Sequence, residues 1–194
     1  MLRRILAWTA AVIAGVVLGL GSAWAVLKFG GSSFTEHYGH WVFSRAAGSI
    51  GADPYTRAII AREGLLALSA REAVYFSLYT DEHGRPLSES CVYELNGRPL
   101  DARWWSVTLY ADDNYLARNT DSAHSIDATR AGNDAAWVAR ISPVRGDATN
   151  WLSSREARRG FVIMLRVYNP QRDFHPSEAA LPVLTTVSCA GDTP

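Results

Sequence analysis

A short basic start is followed by a long hydrophobic stretch in this chain. Residues 5–27 contain no charged side chain, and about 20 apolar residues are enough to cross the hydrocarbon core of a membrane as a helix. Trp8 and Trp24 lie near the two ends of the stretch, where indole rings favour the headgroup region. The pattern predicts one transmembrane helix, with residues 1–27 as a membrane anchor.

Positive charge around this segment predicts its orientation. Arg3 and Arg4 precede the apolar stretch, and only Lys28 follows it closely. The positive-inside rule then places the N-terminus in the cytoplasm and the rest of the chain in the periplasm. The alternative is a cleaved signal peptide, because Ala-Trp-Ala at 23–25 fits a small-x-small cleavage site. The apolar run continues past that site, which favours an uncleaved anchor, and both alternatives export the remainder.

The pattern after the anchor is irregular and then becomes helical. Residues 28–52 are rich in glycine, serine and aromatic residues, which indicates a linker with one short strand near Trp41–Ser44. Asp-Pro at 53–54 is typical of a helix start. The recurring isoleucine and leucine positions predict a helix over 54–68. The exported domain is predicted to cover residues 53–194.

Beyond residue 72 the hydrophobic period changes to two, which is the period of a β-strand. Turn signals occur between such stretches, as in Asp-Glu-His-Gly at 81–84 and Asn-Gly at 96–97. We therefore predict a mainly β domain, an antiparallel sandwich or jelly roll with one short helix, rather than alternating βαβ units. The predicted strands lie near 74–79, 91–95, 104–111, 115–117, 136–141, 161–168 and 183–189.

Composition narrows the class of protein. Hydrophobic residues make up 48% of the chain and charged residues 20%, as is usual for a globular domain. The formal net charge is zero, so no long-range field attracts nucleic acid, and no nucleic-acid partner is predicted.

The chain has two cysteines, Cys91 and Cys189. Their spacing matches no metal site. In an oxidising compartment such a pair most often forms one structural disulfide, which is our prediction. The alternative is two unpaired buried thiols.

Candidate catalytic groups are sparse. No nucleophile elbow or cysteine-protease signature occurs. His37 and His40 are close enough for two metal ligands on a helix, but their surroundings indicate a linker and no third ligand is evident. We predict no metal or other cofactor. The acid pairs at 81–82 and 112–113 lie in predicted turns, which favours solvated loop residues over the carboxylates of a glycosidase.

Tryptophan is frequent in the predicted strands. Trp104 and Trp105 are neighbours in a strand and must therefore point to opposite faces of its sheet. Flat aromatic rings with polar rims can form a platform for sugar rings, and the alternative is that most of these rings fill the core. The aromatic set consists of Trp104, Trp105, Tyr110, Trp137 and Trp151.

An ordered series of short motifs resembles a known family. It begins with Ala-Arg-Trp-Trp-Ser-Val-Thr-Leu-Tyr at 102–110, and continues with Asn119, His-Ser-Ile at 124–126 and Asn-Trp-Leu at 150–152. It ends with Phe161–Pro170. Together these motifs resemble the bacterial family named domain of unknown function 1214, in its short, membrane-anchored form. The resemblance implies a jelly-roll-like β architecture, and it carries no established activity.

These motifs also supply a candidate binding surface. Arg166 lies in the middle of an apolar strand, where we expect it to pair with an acid or with the loop at Asn150. Serines at 153–154 stand where the family often has proline, which changes that loop. The candidate binding surface consists of Trp105, Asn119, Asn150, Trp151 and Arg166.

The sequence as a whole predicts a single-pass protein of the bacterial inner membrane with a periplasmic β domain. The leading function is a non-enzymatic binding or accessory component of the cell envelope. Its expected partners are the lipid bilayer and an inner-membrane or envelope protein. One alternative is a carbohydrate-binding module for peptidoglycan or exported glycans, indicated by the tryptophans. Another is an envelope glycan hydrolase, indicated by the acid pairs.

Overall fold

A computed structural model gives the fold of most of the chain. It describes residues 1–29, 35–44, 51–62, 68–69, 71–132, 135–171 and 176–190.

The N-terminal segment is helical, as predicted. Helix α1 spans Leu2–Phe29, and its stretch Leu2–Lys28 is long and apolar enough to cross a membrane, with none of it buried inside the protein. At its C-terminal end, Lys28 Nζ lies 4.7 Å from the ring centroid of Trp24. A cation beside an amphipathic ring suits the boundary between lipid and water.

Two short α-helices and a 3-10 helix at Glu178–Ala180 also lie outside the sheets in the described parts of the chain. Helix α2 spans Pro54–Arg62, and its start is capped by Asp53, whose Oδ1 accepts the amide of Tyr55 at 2.9 Å. The predicted helix is confirmed over this part, and residues 63–67 lie outside the described residues. Helix α3 spans Ala128–Ala131.

Ten strands occur within the described parts of the chain. They are β1 (Thr35–Tyr38), β2 (Trp41–Ser44), β3 (Ala73–Leu78), β4 (Cys91–Gly97), β5 (Ala102–Tyr110), β6 (Ser125–Asp127), β7 (Trp137–Ser142), β8 (Trp151–Ser153), β9 (Val162–Pro170) and β10 (Val183–Cys189).

The strands form two sheets, which confirms the mainly β prediction. The larger sheet has the order β1-β2-β3-β9-β5-β6, and the smaller has the order β10-β4-β7-β8. Neighbouring strands are antiparallel throughout, except that β7 and β8 run parallel. The hairpin of β1 and β2 lies within residues 28–52. The short strand expected at Trp41–Ser44 is confirmed by β2, whereas β1 had no sequence signal.

The core fills the space between the two sheets. Alternate residues of both sheets point into one continuous apolar cluster. At its centre the rings of Trp105 and Trp137, one from each sheet, stack with centroids 4.5 Å apart. Nearby, Tyr93 meets the edge of Phe161 at 6.2 Å. Stacked and edge-on aromatic pairs of this kind stabilise a core beyond the area that they bury.

One predicted turn is instead the end of a strand. Asn96 and Gly97 continue β4, where they pair with Val138 and Trp137 of β7. A Cβ atom on Gly97 would lie 2.0 Å from Cε2 of Trp137. The glycine is therefore required because an indole ring packs directly on the backbone, and not because of a turn.

The predicted turn at 81–84 and the predicted strand at 115–117 had opposite outcomes. The turn at 81–84 is confirmed, since Thr80 bridges Pro86 and Gly84 has a φ of 75°. The strand predicted at 115–117 is wrong. The carboxylate of Asp113 accepts the amide of Tyr115 there, at 3.0 Å, and such a side-chain hydrogen bond holds the backbone in a turn.

The predicted disulfide between Cys91 and Cys189 is present. The two residues face each other at the paired ends of β4 and β10. They are 98 positions apart in sequence, and closing a loop of that length stabilises a domain by roughly 4–5 kcal/mol in the chain-entropy description.

Candidate functional site

An open groove of about 580 Å³ lies on the outer face of the larger sheet. This volume falls within the range of pockets that hold small molecules. Strands β5 and β9 supply part of its lining, and the turn after β5, the start of β6 and Ala61 of α2 complete it. Its polar lining includes Thr108, Tyr110, His124, Ser125 and Arg166.

Strand register brings Arg166 to this groove. In β9, Arg166 pairs with Ser106 of β5 on one side and with Tyr75 of β3 on the other. Leu165 and Val167, its neighbours along the strand, are buried in the core. The arginine therefore points to the outer face, as its position between two apolar residues predicted.

The guanidinium of Arg166 is held by Tyr110. Nη2 of Arg166 donates a hydrogen bond to the hydroxyl oxygen of Tyr110, and the guanidinium carbon lies 5.5 Å from the centroid of that ring. The interaction combines a hydrogen bond with a cation–π contact. The acid that we expected to pair with Arg166 is not found among the described residues.

Hydroxyl and imidazole groups stand beside this pair. Thr108 of β5 pairs directly with Ser125 of β6, so both hydroxyls lie on the outer face with Arg166. His124 precedes Ser125, and its Nδ1 is buried without a hydrogen-bond partner in the described part of the chain. A buried polar atom of this kind is normally satisfied by a water or a ligand.

The rim of the groove is the turn that follows β5. Asp113 caps this turn through the amide of Tyr115, and its carboxylate lies 3.7 Å from Nη2 of Arg118. The ring of Tyr115 is 70% exposed. The rim therefore offers an aromatic surface and an acid whose charge is already matched.

The residues expected to form one binding surface lie in separate places. Trp105 is completely buried, so its ring belongs to the core and not to an exposed surface. Trp151 is half-buried, and its Nε1 donates to the carbonyl of Ser142 at 3.0 Å. The Nδ2 of Asn150 donates to the carbonyl of Val138. Of the five residues, Arg166 alone lines the groove.

Asn119 belongs to a polar cluster of loops. Its Nδ2 donates to the carbonyl of Arg155 at 2.6 Å. The side chain of Arg155 in turn binds the carboxylate of Asp121, which also accepts the hydroxyl of Ser153 at 2.6 Å. These hydrogen bonds, first from Arg155 and then from Ser153, lower the pKa of Asp121. Ser153 at the end of β8 thus ties this strand to the loop that contains Asp121.

The acid pair at 81–82 is not solvated, contrary to the sequence interpretation. Asp81 is 2% exposed, and its carboxylate accepts both the amide and Nε of Arg85, at 2.9 and 2.8 Å. Burial opposes ionisation, but the hydrogen bonds from Arg85 outweigh it and keep the pKa of Asp81 below its ordinary value. Glu82 accepts the amide and hydroxyl of Thr186 and so fastens β10 to this turn.

The other acid pair and the two histidines are exposed. Asp112 lies in a turn, where its carboxylate is 4.0 Å from Nη1 of Arg158. His37 is in β1 and His40 in the following turn, so they do not share a helix face. Within the described ranges, no three His, Cys, Asp or Glu side chains are grouped as a metal site requires.

Comparison with known families places this β domain. Residues 72–172 match the family described as protein of unknown function (DUF1214), and they make up more than half of the chain. The chain belongs to the DUF1214 family. Apart from Ala61, every residue that lines the groove lies in the DUF1214 segment.

Solved structures include proteins with a similar fold. The VPA0106 protein from Vibrio parahaemolyticus is 23% identical, with a TM-score of 0.56. The match covers 71% of the DUF1214 chain described here and 36% of that protein, so this chain spans about a third of its length. At this identity the similarity shows the fold alone.

A more distant similarity is found to an uncharacterized protein from Burkholderia cenocepacia. It is 16% identical, with a TM-score of 0.43, over 59% of this chain and 30% of that one. None of the curated proteins compared with the DUF1214 chain matches it.

The groove combines polar and aromatic groups. It brings together a guanidinium, several hydroxyl groups and an exposed aromatic ring. Sequence reasoning found Arg166 but missed its association with Thr108 and Ser125. The alternation of Ser106, Thr108 and Tyr110 along β5 was the available signal, because alternate residues of a strand share one face.

Proposed function

We propose that this DUF1214 protein is a membrane-tethered, non-enzymatic binding component of the bacterial cell envelope, with its β domain in the periplasm. A single observation carries the proposal. One apolar helix, α1, long enough to cross a membrane, occurs in the same chain as a β domain closed by a disulfide. A tether and an oxidised domain together are typical of proteins that work on the outer side of the inner membrane.

The charges around α1 support this orientation. Arg3 and Arg4 lie at its N-terminal end, and Lys28 is the single basic residue of its last turn. The larger number of basic residues stays in the cytoplasm. The Lys28 side chain covers the ring of Trp24, as suits a residue at the opposite interface.

The groove supports binding rather than turnover. Its polar groups are a guanidinium paired with a phenol, two hydroxyls and an imidazole whose Nδ1 is buried. Nucleophilic catalysis requires a hydroxyl or thiol hydrogen-bonded to a base that is itself oriented by a third group. Among the described residues, neither Thr108 nor Ser125 forms such a hydrogen bond with His124. The two cysteines are joined to each other.

Thiol labelling tests the tether and the orientation. We would introduce Val144→Cys in an exposed loop of the domain, and Leu2→Cys at the cytoplasmic end of α1 as its matched control. A membrane-impermeant maleimide should label the first variant in cells with a permeabilised outer membrane, and the second only after lysis. The reverse pattern, or a purified protein whose intact mass lacks the α1 segment, would overturn the proposal.

The partner is tested by purifying the tagged full-length protein from its native membrane in a mild detergent. Mass spectrometry should recover an inner-membrane or envelope protein in stoichiometric amount. Recovery of this protein alone from membranes in which it is correctly oriented would contradict the accessory role.

A further inference from the structure

Arg166 is the central cation of the groove, and the carboxylates near it have other partners. The closest acid in the sheet register is Asp127, which pairs with Ser106 on the side away from Arg166. Its carboxylate caps α3 and accepts the amides of Thr129 and Arg130 at 2.9 and 3.1 Å. Asp127 is therefore used as a helix cap and is not an ion-pair partner of Arg166.

Asp113, the acid at the rim, also has a partner for its charge. Asp113 is near Arg118 and accepts the amide of Tyr115. No salt bridge joins Arg166 to any acid within the described residues, although its side chain is half-buried. A partly buried charge is costly unless an opposite charge or several hydrogen bonds compensate it. Among the described residues of the groove, the charge of Arg166 therefore has no acidic partner.

The donors around this charge define what can bind. The Tyr110 oxygen accepts from Arg166, which leaves the hydroxyl proton of Tyr110 available to a ligand. A guanidinium presents its N–H groups in a planar fork that fits the two oxygens of a carboxylate. Arginine and tyrosine together thus supply donors, and one positive charge matches one carboxylate better than a doubly charged phosphate.

The remaining residues of the lining suit the apolar part of a small organic ligand. Leu116 and the exposed ring of Tyr115 lie at the rim, and apolar and aromatic walls with a few polar groups are typical of small-molecule sites. We propose that the groove binds the carboxylate of a small organic acid through Arg166 and Tyr110. This inference rests on the proposed function as a binding protein, and it names the chemical class of the ligand.

Benzoate is a suitable probe, because it joins one carboxylate to an apolar ring. Its binding to the full-length protein in detergent micelles would be measured by ligand-observed NMR. Benzamide, which is neutral and of the same shape, and inorganic phosphate would be compared with it. We expect benzoate to bind at least tenfold more tightly than either, a difference of about 1.4 kcal/mol or more.

Substitutions in the groove test whether benzoate binds there. Arg166→Gln should weaken benzoate binding at least tenfold, and Arg166→Lys should weaken it less, since it keeps the charge but loses the fork. Tyr110→Phe should weaken it severalfold. Arg145→Gln removes an exposed arginine that does not line the groove and is the matched control, with binding unchanged. If Arg166→Gln does not fold, the lysine and phenylalanine variants decide.

Several results would overturn this inference. They are no binding of benzoate to the wild-type protein, equal binding of benzamide, tighter binding of phosphate, or unchanged binding in the Arg166 and Tyr110 variants. These failures leave the proposed function standing if Val144→Cys is labelled from the periplasm. Conversely, reversed labelling would overturn the proposed function, whereas benzoate binding in detergent would still establish the ligand class.

Discussion

The two faces of strand β5 differ sharply although their residues alternate along one chain segment. Trp105, Val107 and Leu109 point inward, and each is completely buried. Thr108 and Tyr110 point outward to the groove. The inner residues belong to the core, where Trp105 stacks on Trp137 of the smaller sheet, whereas Tyr110 contacts Arg166 and Thr108 lines the groove.

The inner face of β5 contributes mainly to folding, and the outer face contributes mainly to ligand binding. Removing apolar surface from water is the dominant favourable term in folding, at roughly 25 cal/mol per Å², and the inner face supplies it. The outer face supplies donors, which contribute little net stability when they can exchange with water. A substitution should therefore affect mainly stability on one face and mainly ligand affinity on the other.

The largest expected effect tests the inner face. Trp105→Ala removes a fully buried ring that stacks on Trp137, and such truncations cost about 3–5 kcal/mol because a cavity remains. Trp104→Ala is the matched control on the outer face, where the half-buried ring contacts Tyr168. It should cost about 1 kcal/mol. Denaturant unfolding of the full-length protein in detergent measures both, and equal losses would contradict the comparison.

A second substitution sharpens the same comparison from the opposite sheet. Gly97→Ala places a methyl group against the indole of Trp137, and overpacking of this kind costs about 1–3 kcal/mol. Its neighbour Asn96 is exposed, so Asn96→Ala should change the free energy of unfolding by less than about 0.5 kcal/mol. An alanine at position 97 that leaves stability unchanged would show that Trp137 can move aside freely.

Asp81 is a buried residue that is charged and not apolar. Asp81→Asn removes the charge that accepts hydrogen bonds from Arg85, which should cost about 1.5 kcal/mol at pH 7. Despite burial, hydrogen bonds from Arg85 hold the folded-state pKa of Asp81 below its ordinary value. Its contribution is therefore complete above that value, and it is lost as the pH falls through the lower folded-state pKa.

The pH dependence of unfolding checks this prediction. The difference in unfolding free energy between wild type and Asp81→Asn should shrink as the pH falls from 5 towards 2. Asp112→Asn, which alters an exposed acid, should change stability by less than about 0.5 kcal/mol at pH 7. A difference for Asp81→Asn that stays constant down to acidic pH would mean that the carboxylate charge does not stabilise the folded state.

Much of the fold could be predicted from local patterns. Strand β4 shows the two-residue period because one of its faces is buried, whereas β9 is buried over most of its length and is visible in the sequence as an apolar run. Strands of three or four residues, such as β6 and β8, are too short for a period to be visible. The role of Gly97 could not be predicted, since it depends on an indole that is distant in sequence.

The site was harder to predict than the fold. Arg166 was recognised because a charge in the middle of an apolar strand is unusual. Its contact with Tyr110, 56 residues away, depends on the register between β5 and β9, which local sequence does not determine. The expected aromatic set is divided for a similar reason: Trp105 and Trp137 are buried between the sheets, whereas Trp104 and Tyr110 lie on the outer face and are partly buried.

The pairing of β4 with β10 has a consequence for the order of events during biosynthesis. The two cysteines are 98 residues apart, and β3 pairs with β9 rather than with a strand that follows it closely. Strands β3 and β4 therefore each keep one edge unpaired until β9 and β10 have been synthesised. An unpaired strand edge favours aggregation of an incomplete chain, and the disulfide can close only after Cys189 has been synthesised.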